Sequence, residues 1–227
     1  GTYYENVVVN KTVSLIGESR STTIIDGNGT GIVVYITARN VNIVRFTIQN
    51  GFDGIRLYCS EQSKVCDNFV THNSNVGIHL YSSPSSSVYR NHISKNLEGM
   101  LIVNSSRSSV YDNNVLTNSD GVWLAGASSH CSIYGNNITD NPYGIGLQHS
   151  SDNNRIIGNT ISNCSEYVIA LFLCGSNMFY HNNFVNNSHC RVYFEQSFNN
   201  TWDYSYPLSG NYWSDYAGVD KNGDDIG

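Results

Sequence analysis

The chain has 227 residues, 40% of them hydrophobic and only 13% charged, with a formal net charge of −6. This acidic balance, with no basic patch or stripe, argues against a nucleic-acid partner. No run of eighteen apolar residues exists, so no transmembrane segment is predicted, and abundant Asn, Ser, Thr and Tyr suit an all-β protein with a polar, uncharged surface.

Residues 1–38 carry β-branched runs at 7–9, 13–16, 24–25 and 32–36, punctuated by Gly17, Gly27, Gly29 and Gly31. Such runs between glycines read as short strands with turns. They are less regular than the middle of the chain, as a terminal coil must be if its outer face is not to become an open strand edge. Gly1 opens inside a turn-and-strand pattern and Gly227 closes inside a loop motif, so the chain reads as a mature or excised piece.

Between residues 65 and 184 a fixed period takes over. Asn68, Asn91, Asn113, Asn136, Asn159 and Asn182 recur at steps of 22 or 23 residues, each with an apolar residue three places before and two places after. A period in the low twenties predicts a solenoid with one coil per repeat. A buried Asn at one phase can bond the next Asn and nearby backbone, so this column reads as scaffold. A second column is Gly-apolar-X-apolar at Gly54, Gly77, Gly99, Gly121 and Gly144, with the apolar positions facing inward. Tyr167 is expected in the next glycine place, with Val168 and Ala170 following. In residues 190–194 a one-residue slip is expected to put Val192 and Phe194 inside. Coils of two or three strands then stack about 4.8 Å apart, with right-handed parallel crossovers.

From Asn199 the texture changes. Trp202, Tyr204, Tyr206, Tyr212, Trp213 and Tyr216 crowd around Pro207 and Gly210. The chain therefore divides into a parallel β-helix over 1–198 and an aromatic cap with an Asp-rich tail over 199–227. The rival reading of the same rings is a carbohydrate-stacking platform.

Residues 1–18 (GTYYENVVVNKTVSLIGE) and 23–29 (TIIDGNG) resemble pectin-lyase-like β-helix proteins. The middle repeats resemble the carbohydrate-binding and sugar-hydrolase β-helix repeats also found in NosD, a periplasmic protein named for copper. Residues 210–227 (GNYWSDYAGVDKNGDDIG) are similar to the ends of archaeal surface-layer and NosD-like proteins. The resemblance implies an exported archaeal-type surface protein. It does not imply one activity, because this superfamily mixes enzymes, binding modules and structural proteins.

Three constellations could carry chemistry. Asp220, Asn222, Asp224 and Ile226 match positions one, three, five and seven of an EF-hand-like loop and suit Ca²⁺, although Asp225 stands where such a loop wants Gly. The residues before the column glycines are Asp53, Val76, Glu98, Asp120, Tyr143 and then Glu166. Glu98 and Asp120 fall on adjacent coils, roughly 5 Å apart, a spacing at which paired carboxylates can run glycoside hydrolysis. The outward residues Arg56, His79, Leu101 and Trp123 beside them could line a sugar-binding face. The seven histidines share no phase, and no His-X-X-X-His or Cys-X-X-Cys occurs, so the copper role attached to the NosD name finds no ligand set in the sequence. Neither the Gly-His-Gly of polygalacturonases nor an Arg-rich lyase motif is present.

Sequons begin at Asn10, Asn28, Asn104, Asn137, Asn163, Asn186 and Asn199, which suits an exported glycoprotein. Cys59 and Cys66 flank one turn and could bridge it, Cys164 and Cys190 could bridge neighbouring coils, and buried reduced thiols are the alternative. The expectation is a single right-handed parallel β-helix of eight or nine coils. It would serve as a structural or polysaccharide-binding module at the cell surface, presented to polysaccharide or to neighbouring subunits, with end-to-end assembly as a variant. A hydrolase or lyase using Glu98 and Asp120 is the second reading, and a NosD-like metal-delivery protein the third.

Overall fold

The computed structural model of the chain describes residues 1–187, 191–204 and 210–216. Among these residues there is no helix. Short strands fall into three parallel sheets of ten, nine and eight strands, here called A, B and C. The chain visits A, B and C in turn and then climbs to the next coil, so each strand pairs with its counterpart one repeat away. Strands of sheets A and C are mostly three residues long, while those of sheet B reach six. This is the parallel β-solenoid expected from the repeat, with about eight turns.

The core is a stack of inward columns. Sheet C supplies Val65, Val88, Val110, Ile133, Ile156 and Phe179, and sheet A supplies Val70, Ile93, Val115, Ile138, Ile161 and Phe184. All are buried, as are the Ile55/Leu57 to Ile145/Leu147 pairs of sheet B. Burying each such side chain contributes about 1.5–3 kcal/mol before entropy is counted.

Asn68 to Asn182 form the predicted ladder. Each side-chain amide donates to the next Asn Oδ1, at 3.0 Å for Asn68 to Asn91 and 3.0 Å for Asn113 to Asn136. The same Oδ1 also takes the backbone N–H of the Asn below it, at 3.0 Å for Asn91 and Asn113. Two further ladders hold the other corners. One runs through Asn73, Asn96, Asn118 and Asn141, and one through paired serines such as Ser60/Ser63, Ser83/Ser86 and Ser105/Ser108. Each satisfies buried backbone N–H groups at a turn, where no strand partner exists. The corners also carry left-handed residues. Asp67, Arg90 and Asp112 (φ 58°, 53° and 53°) occupy one such column. Arg90 Nη2 meets Asp67 Oδ2 at 2.7 Å, an exposed pair of small energetic weight.

Three expectations change. Tyr167 pairs with Tyr143, so it takes the place before the glycine; Ile169 and Leu171, one residue later than expected, face inward. This coil is one residue longer than its predecessor, which also removes Glu166 from the acid column. The slip near residue 191 is present: Val192 pairs with Ile169 and Phe194 with Leu171, past a bulge. Phe194 remains 53% exposed, while Val192 packs against the core. Cys59 and Cys66 are not bridged. Cys59 is an exposed left-handed corner residue (φ 52°), whereas Cys66 is buried in the outward row of sheet C, where burial pushes its thiol pKa up. The Cys190 partner proposed for the buried Cys164 lies outside the described residues.

Beyond Asn199 the coil pattern continues. Asn200 and Asn211 extend the ladders from Asn177 and Asn182, and Tyr212–Trp213 adds a strand to sheet A. Trp202 stacks on Phe179 at 4.5 Å and Trp213 on Phe184 at 4.0 Å, covering the last core columns with rings.

Candidate functional site

The outer face of sheet B differs from the other two because of its glycine column. A Cβ on Gly99 would meet the Val115 side chain at 2.7 Å and the Gly121 carbonyl oxygen at 2.6 Å; on Gly121 it would lie 2.3 Å from the Gly144 oxygen. Only glycine allows this approach. The glycine and the apolar residue after it both point inward, so the residue before the glycine and the residue two places after it converge outside. Asp53 and Arg56 show the convergence directly: Arg56 Nε donates to Asp53 Oδ2 at 2.6 Å, and its Nη2 reaches the same oxygen. Stacked over the coils, the two rows run side by side parallel to the solenoid axis, and the strip they frame is here called the groove.

One wall is Asp53, Val76, Glu98, Asp120, Tyr143 and Tyr167; the floor row is Arg56, His79, Leu101, Trp123, Gly146, Ala170 and Tyr193. The predicted site residues Arg56, His79, Glu98, Asp120 and Trp123 therefore do share one face. Glu98 and Asp120 are direct register partners on neighbouring strands, whose spacing is about 4.8 Å.

Asp53 anchors the charged half. It is fully buried, and its Oδ1 accepts from Asn75 Nδ2 at 2.8 Å. Burial alone would raise its pKa, but His79, Asn75 and Arg56 together hold it below the ordinary value. His79 lies with Nδ1 3.4 Å from Asp53 Oδ2; neither of its ring nitrogens makes a well-formed hydrogen bond, and its side chain is 13% exposed. Glu98 and Asp120 behave oppositely to Asp53. Burial pushes the Glu98 pKa up, Asp120 and Asp53 add repulsion, and His79 works the other way; burial also raises Asp120.

A carboxyl whose pKa is raised on folding holds its proton more tightly folded than unfolded. Stability is then fullest below the ordinary value of 4.5 and falls as pH rises through the raised folded value. Glu98→Gln is accordingly expected to raise the melting temperature at neutral pH and to leave it unchanged near pH 3. A variant no more stable than wild type at neutral pH would show that this carboxylate is under no strain.

The aromatic half is not apparent as a site in the sequence. Trp123 lies over Gly146, where a Cβ would sit 2.4 Å from the indole, and it stacks beside Phe172 at 6.2 Å. Tyr143, Tyr167 and Tyr193 follow at 5.8 and 5.1 Å, with Phe172 and Tyr193 5.0 Å apart. All five rings are partly exposed, and Trp123 Nε1 is buried without a hydrogen-bond partner. Towards the other end of the face, Tyr58 and Tyr81 stack at 5.4 Å. The signal that finds these residues is the register. Extending the Asp120 and Trp123 phases by one coil length reaches Tyr143 and Gly146, and a further 24 residues reaches Tyr167 and Ala170.

Two open concavities lie elsewhere, at corners of sheet A. One of about 470 Å³ is lined by Asp26, Asn50 and His72 among others, and one of about 320 Å³ by Arg20, Asp67, Arg90 and His92. Their central charges are already engaged, and Arg20 lies over the Phe69 ring at 4.3 Å. Asp26 accepts from Gln49, Asn50 and the Asn28 backbone, and Arg90 is paired with Asp67. On sheet C, Tyr89, Tyr111 and Tyr134 stack face to face at 4.8 and 4.9 Å, so their faces are consumed by one another. The sheet B groove combines unpaired carboxylates with aromatic surface, and it is the candidate site.

All seven sequon asparagines are exposed, as an acceptor must be. Asp220, Asn222, Asp224 and Ile226 lie outside the described residues.

Residues 5–218 match the family profile described as periplasmic copper-binding protein (NosD). No curated protein sequence matches the chain. Among solved structures, the Dettilon tailspike protein shares 16% identity with a TM-score of 0.65, over 83% of this chain and 48% of its own. The catalytic unit of an α-1,3-glucanase of family GH87 from Streptomyces thermodiastaticus shares 17% with a TM-score of 0.66, over 94% and 48%. DFA-IIIase from Arthrobacter chlorophenolicus, in complex with GF2, shares 17% with a TM-score of 0.65, over 84% and 56%. The chain thus spans about half the length of these proteins, and at such identities the likeness establishes the fold. The copper in the family description finds no fit: among the described residues no group of three or more His, Cys, Asp or Glu could hold a metal ion.

Proposed function

The chain belongs to the NosD family, and on that premise we propose that it is an exported polysaccharide-binding β-helix module whose binding face is the sheet B groove. The observation that carries this reading is the continuous aromatic run from Trp123 to Tyr193, placed beside the half-buried carboxylates of Glu98 and Asp120, which form no ion pair among the described residues. Rings of this kind give sugars apolar faces to stack on, while the carboxylates fix hydroxyl groups. The solved structures of similar fold include a glucanase and a DFA-IIIase in complex with GF2, which supports carbohydrate as the ligand class. Exposed sequons support export, and no helix of the described residues is long and apolar enough to cross a membrane. A glycan array tests the reading: retention of at least one polysaccharide class is expected, and a blank array would reject it.

A second reading is favoured by the raised pKa of Glu98 next to Asp120. In it Glu98 protonates the glycosidic oxygen as the C–O bond breaks, and Asp120 acts as nucleophile or as base on water. Release of reducing ends from an array-positive polysaccharide, abolished in Glu98→Gln, would establish hydrolysis. Binding without release would leave the protein a binding module.

A further inference from the structure

From the uncompensated charge of the groove we infer that it selects an ammonium-bearing glycan, an oligosaccharide of amino sugars, with the ammonium held between Glu98 and Asp120. The inference rests on the reading of this face as glycan-binding and adds a substrate class to it.

Every charged group facing the pair comes from neighbouring strands of sheet B. Asp53 is saturated by Arg56, Asn75 and the Val76 backbone N–H, so that pair contributes little net charge. Among the described residues, neither Glu98 nor Asp120 has a Lys, Arg or His nitrogen within ion-pair distance. Two half-buried carboxylates are thus left side by side. Burial raises both pKa values, and Asp120 and Asp53 repel Glu98 further while His79 offsets part of that repulsion.

The neighbours specify the cation. A bare metal ion would need more donors than two carboxylates, and no third His, Cys, Asp or Glu completes a set among the described residues. An ammonium donates three hydrogen bonds and needs no such shell. Aromatic faces next to carboxylates favour an organic cation further, and Trp123 and Tyr143 stand beside Asp120 at a 6.5 Å ring separation. From Asp120 the row of rings Trp123, Tyr143, Tyr167 and Tyr193 continues along the face and gives sugar rings apolar surface to stack on. A uronate or sulfated chain would add negative charge to an already repulsive pair. A lysine-rich peptide carries the same ammonium, but it presents no pyranose face to that row of rings.

The test is calorimetric titration of the whole chain with four probes of matched length: a β-1,4-linked glucosamine oligomer, its fully N-acetylated form, a neutral glucan and oligolysine. The glucosamine oligomer is expected to bind about tenfold more tightly than its acetylated form. That preference should shrink towards unity in Glu98→Gln/Asp120→Asn and, for the unaltered chain, in high salt. The salt series decides the matter if the double variant does not fold. Equal affinity for acetylated and free-amine oligomers would overturn the charge selection while leaving the glycan-binding face intact. Oligolysine binding as tightly as the amino sugar would overturn sugar as the source of the ammonium. No binding of any saccharide would remove the parent reading and this inference with it.

Discussion

Replacing Asn113 by alanine is expected to cost about 2–4 kcal/mol of stability, a large share of the 5–15 kcal/mol typical of a domain. Its Nδ2 donates to Asn136 Oδ1, Val88 O and Tyr111 O, and its Oδ1 takes both the backbone and side-chain N–H of Asn91. Alanine would leave the buried Asn91 backbone N–H without a partner and open a gap at the corner. Desolvation of such a group costs about 1–3 kcal/mol on its own. Asn114→Ala, one residue away but in the outward row, is the control, with an expected change of about 0.5 kcal/mol. Denaturant melts of the two variants decide it; similar losses would mean that the ladder is composition and not scaffold.

Trp123→Ala is expected to weaken polysaccharide binding by tenfold or more, on the order of 1.4–3 kcal/mol. The indole is the largest ring in the groove, lies on Gly146 and stands 6.5 Å from the Tyr143 ring and 6.2 Å from that of Phe172. Truncation removes the stacking surface and also uncovers Gly146, a floor residue that is small because the indole lies on it. Tyr134→Ala, on sheet C, should leave affinity unchanged, since that ring belongs to a different face. Titration of both variants with the tightest polysaccharide from the array checks this, and equal losses would point to a general effect on the solenoid.

The fold was legible because two signals agree. The Asn period fixes coil length, and the Gly-apolar-X-apolar column fixes which face is inside. Together they dictate the pairing of Glu98 with Asp120 and the outward row of Arg56, His79 and Trp123. The left-handed corners were not legible. Asp67, Arg90 and Asp112 stand where glycine or asparagine would advertise a turn, and Gly135 and Gly158 take that place only in later coils. The serine ladder was hidden by a serine-rich composition. The aromatic half of the groove was missed for a different reason. Tyr143 and Gly146 are inconspicuous as a sequence pair, and their meaning appears only when Trp123 of the coil before is laid across them. The extra residue before Tyr167 then moved that ring into the wall of the groove and Glu166 out of it, a shift that the period in the low twenties does not announce.

The central claim is that glycan engages the outer face of sheet B. The most direct measurement is an NMR titration of the labelled chain with the array-positive polysaccharide, following aromatic and indole resonances. The account predicts that shifts concentrate on Trp123, including its Nε1–H, and on Tyr143, Tyr167, Phe172 and Tyr193. Shifts confined to Tyr89, Tyr111 and Tyr134 on sheet C, or to the corner cavities of sheet A, would contradict it.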